Sequence, residues 1–294
     1  HGPIVHDDGK QKLALRWPAL DPELLAVPFY DINRAQNWDE FRAALALFSG
    51  PAQNFVYADV DGNIGYVGAG RVPLRRRGRG EMPVPGETSD YDWVGTIPFP
   101  EMPQTLNPPV GILATANNRV VPDGYAHYLT DRWDPPYRAA RIYELLENQT
   151  GFKPDDFLRR QGDIYSHPDF FLAHELAAAA RAVPELSEAA NILQNWDGQM
   201  RSTDAAPLIT TTAQRVLLEN LLRPKLGDDW EVYTWRASPV FLENVLRDRP
   251  GRWLPARRGN EGYADYDELL RATLTRTLRQ LATEFQLPAT NGLP

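Results

Sequence analysis

The sequence contains no cysteine, which excludes a thiol nucleophile, a disulfide framework and a cysteine zinc site. Nowhere does it approach the roughly 20 consecutive apolar residues that a membrane-spanning helix requires. The five histidines (His1, His6, His127, His167 and His174) form no HExxH, and none stands at ligand spacing from a second histidine and a carboxylate. A histidine metal site is therefore not indicated. The phosphate-binding P-loop pattern is missing. Gly65, Gly68 and Gly70 neither complete a dinucleotide-binding fingerprint nor open a helix, and close strand packing or a bulge is the better account of them. The GxSxG and SxxK signatures of serine hydrolases are missing too, and no internal repeat at a fixed period is evident.

What is present is a chain of 294 residues, 43% hydrophobic and 11% aromatic. That is enough to bury one large core or two domains, and too apolar for disorder. Acidic residues outnumber basic ones by 39 to 31, which argues against nucleic acid or an anionic membrane as the main partner. The one basic cluster, Arg75–Arg79, is interrupted by Gly78 and reads as a solvated loop. The chain opens on His1 in place of an initiator Met, so its ends are expected to be cut or processed.

Along the chain, the first thirty or so residues read as irregular and strand-like. Asn37 is a candidate N-cap for a helix carrying Trp38, Phe41, Leu45 and Phe48 on one face, with Gly50 as its stop. Asn54–Tyr66 (NFVYADVDGNIGY) alternates as a β-hairpin does around an Asp61-Gly62-Asn63 turn. From Val72 to Asn107 the sequence is dense in Pro, Gly and Arg, and one long loop anchored by Trp93 and Phe99 is expected. Gly111–Ala116 (GILATA) reads as a buried strand ending at Asn117. From Pro136 onward the pattern is helical, over Tyr137–Leu146, Pro154–Arg160, His167–Val183, Leu186–Trp196, Ala206–Leu222, Pro239–Leu246 and Ala264–Phe285. Leu269, Leu270, Leu274, Leu278 and Leu281 recur at helical spacing and read as core. The expected division is a strand-rich part over residues 1–135 and a mainly helical part over 136–294.

Few residues offer chemistry. Asp59-x-Asp61-Gly62-Asn63 has its Gly in the wrong place for a calcium loop, and these residues read as a turn. Ser166-His167-Pro168-Asp169 holds the letters of a catalytic triad, but adjacent residues cannot assemble its geometry, and Ser166 reads as a helix cap. Asp155 and Asp156 read as helix N-terminal charges rather than a glycosidase acid/base pair. Asn117, where a strand ends, reads either as a turn residue or as an amide donor to an oxyanion. Arg138 reads by default as a surface or ion-pair arginine. An N-terminal nucleophile must be Ser, Thr or Cys, and His1 is none of these.

One ordered set of motifs goes further. It runs through His1-Gly2-Pro3-Ile4, Phe29–Ala35 (FYDINRA), Asn37-Trp38-Asp39-Glu40-Phe41, the NFVYADVDGNIGY hairpin, Pro83-Val84-Pro85-Gly86, Asn107-Pro108, Ala116-Asn117-Asn118 and Tyr137–Ile142 (YRAARI). In order and spacing the set resembles the penicillin acylase family of N-terminal-nucleophile hydrolases, over most of the first 180 residues.

The resemblance implies an α+β fold, part of a four-layer αββα core with a helical extension. It implies hydrolysis of a linear amide in a penicillin, an acyl-homoserine lactone or a lipopeptide. The attacking N-terminal Ser is expected to be freed by self-cleavage of a proenzyme and to lie outside this chain. Asn117 then aligns with the side-chain oxyanion donor and Arg138 with a site-orienting arginine. Asn118 supports the turn, and Gln53 approaches the acyl pocket. No cofactor is implied for the chemistry. A structural calcium is common in the family, with Asp123, Asp131 and Asp134 as open candidates here. The implied partners are the small subunit and the remainder of the large subunit, in a periplasmic or extracellular setting. The alternative is a catalytically silent acylase-like binding domain or subunit.

Overall fold

The computed structural model describes residues 2–21, 28–147, 149–233, 235–257 and 262–285. His1, the first residue of the motif set above, lies outside them. The chain forms two compact units, residues 1–146 and 147–294.

The first unit begins with a short antiparallel pair, β1 (Ile4–Asp7) and β2 (Lys12–Ala14). A short helix α1 (Phe29–Arg34) follows, in sequence that carries no clear helical period. Helix α2 (Trp38–Ala46) is closed by the expected cap: Asn37 Oδ1 accepts from Glu40 N at 3.0 Å. Glu40 answers by accepting from Gln36 N at 2.9 Å and Asn37 Nδ2 at 3.0 Å. Such reciprocal bonds use up donors that a helix start leaves orphaned.

The apolar face of α2 packs on the hairpin of β3 (Gln53–Ala58) and β4 (Ile64–Ala69). Phe41, Leu45, Phe48, Val67 and Ala69 form a buried cluster with Trp38, Phe55, Tyr57 and Phe99 against it. Gly65 makes this approach possible, because a Cβ there would lie 2.2 Å from the Trp38 ring. The hairpin turn is tied by one carboxylate. Asp59 accepts from Asp61 N at 3.0 Å, Asn63 N at 2.8 Å, Asn63 Nδ2 at 2.8 Å and Tyr57 OH at 2.8 Å. The Asn63 bonds hold Asp59 below the usual carboxylate range, while desolvation and the bond to Asp59 push Tyr57 up to about 12.

The interval 72–107 is not one loop. It contains β5 (Pro73–Arg75) paired with β6 (Trp93–Thr96), and β7 (Gln104–Leu106), which adds to β4 and gives a sheet in the order β3-β4-β7. Pro and Gly density hid these strands, since each is only three or four residues long. The two aromatics hold it as expected. Arg16 lies over Trp93 at 4.6 Å, and Phe99 joins the α2 cluster under Arg42. Within the basic run, Arg77 pairs with Asp90 and Arg79 stacks on Tyr128.

GILATA is also corrected: residues 111–116 make no ladder, and only Ala116 among them is buried. The segment is tied through side chains. Helix α3 (Tyr137–Leu146) then starts after two prolines and belongs to the first unit.

The second unit is helical: α4 (Pro154–Gln161), α5 (His167–Ala180), α6 (Ser187–Gln194), α7 (Ala205–Leu226), α8 (Ser238–Asp248) and α9 (Tyr266–Glu284). These match the periodic segments closely, and Leu269, Leu270, Leu274 and Leu281 lie in one continuous core with residues of α5 to α8. Asp156 accepts from Lys153 N at 2.7 Å, which makes it a helix-start charge as expected.

Ser166 stands at the N-cap of α5, but its hydroxyl donates to Asp169 Oδ2 at 2.5 Å instead of accepting a backbone N–H. Asp169 is buried and also accepts from Gln214 Nε2 of α7 at 2.7 Å. Buried Glu219 of α7 is clamped by Arg223 and, from α9, by Arg276 at 2.5 Å.

Two outcomes follow from this packing. Gly65→Ala forces Trp38 off the hairpin and should cost about 1–3 kcal/mol, read by urea unfolding. Burial raises the pKa of Asp169 above its ordinary 3.8, and its hydrogen bonds only partly oppose this. Stability from this group is thus present when it is protonated and lost as pH rises through the raised value. Asp169→Asn should raise Tm at pH 7, and the gain should shrink with acidification and vanish below the ordinary carboxylate pKa. A gain unchanged at low pH would sink that account.

Candidate active site

The chemistry gathers in the first unit, where the tied segment ends in the turn Ala116-Asn117-Asn118. Asn117 takes φ 62°, a left-handed conformation that Asn adopts more readily than other side chains. The turn is pinned on every side. Asn118 Oδ1 accepts from Ala116 N at 3.0 Å, and Asn118 Nδ2 donates to Arg119 O at 3.1 Å. Asp134 N donates to Asn117 O at 2.9 Å.

Arg138, in the first turn of α3, completes the group. Its Nη2 donates to Ala116 O at 2.8 Å, Asn117 Oδ1 at 3.0 Å and Asp134 Oδ2 at 2.6 Å. The Asp134 side chain is 10% exposed and the Arg138 side chain 60%. The carboxylate therefore sits inside and draws the guanidinium onto the turn.

This arrangement fixes the Asn117 amide. A guanidinium has donors and no acceptor, so the atom facing it is Oδ1 and the NH₂ points away. Among the described residues nothing accepts from Asn117 Nδ2. An exposed, oriented N–H donor on a braced backbone is what stabilisation of a developing oxyanion needs.

The structure brings Asn117, Asn118 and Arg138 together, and Gln53 stays outside their hydrogen-bonded group. By strand alternation Gln53 shares the hairpin face of Phe55 and Tyr57, which packs on α2. Its neighbour Asn54 is the residue that reaches the turn segment, donating from Nδ2 to Thr115 Oγ1 at 3.1 Å. Sequence reading passed over Asn54 as part of a hairpin pattern. It weighed Asp134 only as a metal ligand, although Asp134 stands four residues before Arg138.

Of the three calcium candidates, two are held by arginines. Asp134 is engaged by Arg138, and Asp123 pairs with Arg119 at 2.7 Å. Asp131 lines an open cavity of about 300 Å³ with Tyr128 and Trp133. Among the described residues no three His, Cys, Asp or Glu side chains converge as metal ligands, and none of the described helices is long and apolar enough to cross a membrane.

Comparison with known proteins bears on this geometry. The chain is 33% identical over 225 residues to a penicillin acylase 2 proenzyme of a Pseudomonas species, covering 74% of this chain and 29% of that protein. It is 35% identical over 264 residues to an acyl-homoserine lactone acylase of Pseudomonas putida, covering 82% and 32%. It thus spans about a third of the length of these curated relatives. The fold resembles that of a thermostable penicillin G acylase from Alcaligenes faecalis, with a TM-score of 0.72 at 21% identity, covering 99% of this chain and 58% of that one. The fold is accordingly mixed α+β, like that of this penicillin acylase. A family model described as penicillin amidase matches residues 1–292, and with that match and the relatives above, the chain belongs to the penicillin amidase family.

Proposed function

We propose that this chain carries the oxyanion-binding part of an amidohydrolase that cleaves the linear amide of an N-acylated substrate, of the penicillin, acyl-homoserine lactone or lipopeptide type. The observation that carries the reading is the Asn117 amide, its oxygen held by Arg138 at 3.0 Å and its N–H₂ left free to donate. Relatives named as penicillin and acyl-homoserine lactone acylases support amide hydrolysis as the class of reaction.

In this reading a Ser at the N-terminus of the mature subunit, outside the chain described here, attacks the amide carbon. Its own α-amino group takes the hydroxyl proton. Charge builds on the carbonyl oxygen, and the Asn117 N–H donates to that oxygen as the tetrahedral intermediate forms. Arg138 does not touch the substrate. It holds Oδ1, so the amide cannot turn and present its oxygen to the oxyanion. When the intermediate collapses the amine leaves with a proton, and water then releases the acyl group. The small subunit and the rest of the large subunit are the proposed partners, and the periplasm or the extracellular space the proposed setting.

In the complete enzyme Asn117→Ala should cost roughly 3 kcal/mol of transition-state stabilisation, seen mainly in kcat; a loss below tenfold would remove the role assigned to Asn117. Arg138→Ala frees the amide to flip and should lower kcat about tenfold or more. Arg138→Lys, a point charge without the guanidinium fork, should recover only part of that loss. Hydrolysis of an acyl-nitroanilide panel by this chain, alone and extended upstream to the Ser, tests the division of labour. Activity in the extended form only is expected. Activity of the chain alone would overturn it, and silence in both would favour a binding domain without catalysis.

A further inference from the structure

We infer that Tyr66, Asn54 and Thr115 form a tether that positions the Asn117 turn from the hairpin, in addition to the brace supplied by Arg138. The inference rests on the reading of Asn117 as the oxyanion donor. Three links build it. Tyr66 OH donates to Asn54 Oδ1 at 2.6 Å, Asn54 Nδ2 donates to Thr115 Oγ1 at 3.1 Å, and Thr115 is two residues before Asn117.

The geometry is specific to these residues. On β4 the residue directly opposite Asn54 is Gly68, while Tyr66 pairs with Val56. A side chain at 68 would crowd the space across which the Tyr66 hydroxyl reaches, since a Cβ there would lie 3.3 Å from it. Gly68 is itself held by its N–H donating to Pro103 O at 2.8 Å. The anchor end of the tether is rigid: Tyr66 is 9% exposed and lies on the central strand of the β3-β4-β7 sheet. Burial pushes its phenol up to about 12, so its hydroxyl stays protonated well above neutral pH.

The logic of donors and acceptors runs one way along the chain. The Tyr66 hydroxyl donates a hydrogen bond to the Asn54 oxygen, which turns the Asn54 amide so that its NH₂ faces Thr115. Thr115 then accepts. Residues 111–116 have no strand partner, so this side-chain bond replaces the ladder that the sequence pattern leads one to expect. Without it the segment entering the turn keeps only the bonds made within the turn and those from Asp134 and Arg138, and the Asn117 N–H is less firmly placed. A displacement of about 1 Å in a catalytic group is enough to cost up to about a hundredfold in rate.

The test uses the complete enzyme and an acyl-nitroanilide substrate, with kcat and KM measured for Thr115→Val and Tyr66→Phe. Each variant is made both with Asn117 intact and with Asn117→Ala. Either change is expected to lower kcat about tenfold with KM within about twofold, and to have almost no further effect in the Asn117→Ala background. Thr115→Ser, which keeps the accepting oxygen, should restore most of the rate. Equal losses in both backgrounds would mean general damage to the fold and would overturn the tether. So would an unchanged kcat in an enzyme whose Asn117→Ala variant loses more than tenfold. If Asn117→Ala alone loses less than tenfold, the oxyanion reading fails first and the tether falls with it. The two failures are told apart because that variant leaves the three links intact.

Discussion

A guanidinium can only donate, and the first unit's chemistry depends on that. One nitrogen of Arg138 faces a main-chain carbonyl, a carboxylate and an amide oxygen, all acceptors. The carboxylate of Asp134 is far less exposed than the guanidinium and sets where the cation lies. From there the orientation of Asn117 follows, since no other face of its amide can meet a donor. An ion pair with one exposed partner adds little to stability. Here its value is directional.

The hairpin side shows the same economy. Gly65 gives α2 its seat through Trp38, and Gly68 leaves room for the Tyr66 hydroxyl. Two glycines on one strand, three residues apart, thus serve opposite faces of the sheet. One lets the core of the first unit close, and the other lets a polar bond reach the turn that carries Asn117. The packing of α2 and the shape of the site are linked through β4, so damage to the core cluster reaches the turn without any contact to substrate.

Much of the fold was legible in the sequence. The helices of the second unit announced themselves because their apolar faces repeat at helical spacing over many residues, as in Leu269, Leu270, Leu274 and Leu281. The α2 cap and the hairpin were readable for the same reason, being local. Short strands of three or four residues carry too little alternation to stand out, which is why β5, β6 and β7 passed as loop. GILATA misled in the other direction: its apolar character is that of a strand, but no neighbouring edge takes it. Within the site, Asn117 and Arg138 entered through resemblance, because an isolated Asn or Arg has no pattern of its own. Asn54 was passed over because its partners are distant in sequence, and Asp134 was weighed only as a metal ligand because it lies outside any regular element.

The left-handed backbone at Asn117 has a consequence for what can ever stand at that position. At φ 62° a Cβ is tolerated poorly except in Asn, Asp and a few others, and glycine fits freely. Asp fits the backbone but offers only oxygens, so under the proposed role it would repel the oxyanion instead of donating to it. Glycine fits the backbone and offers no donor. The local conformation and the proposed role therefore narrow the choice from two independent directions, and they meet on one amino acid. Changing it to alanine mixes a backbone penalty with the loss of the donor, and glycine separates the two.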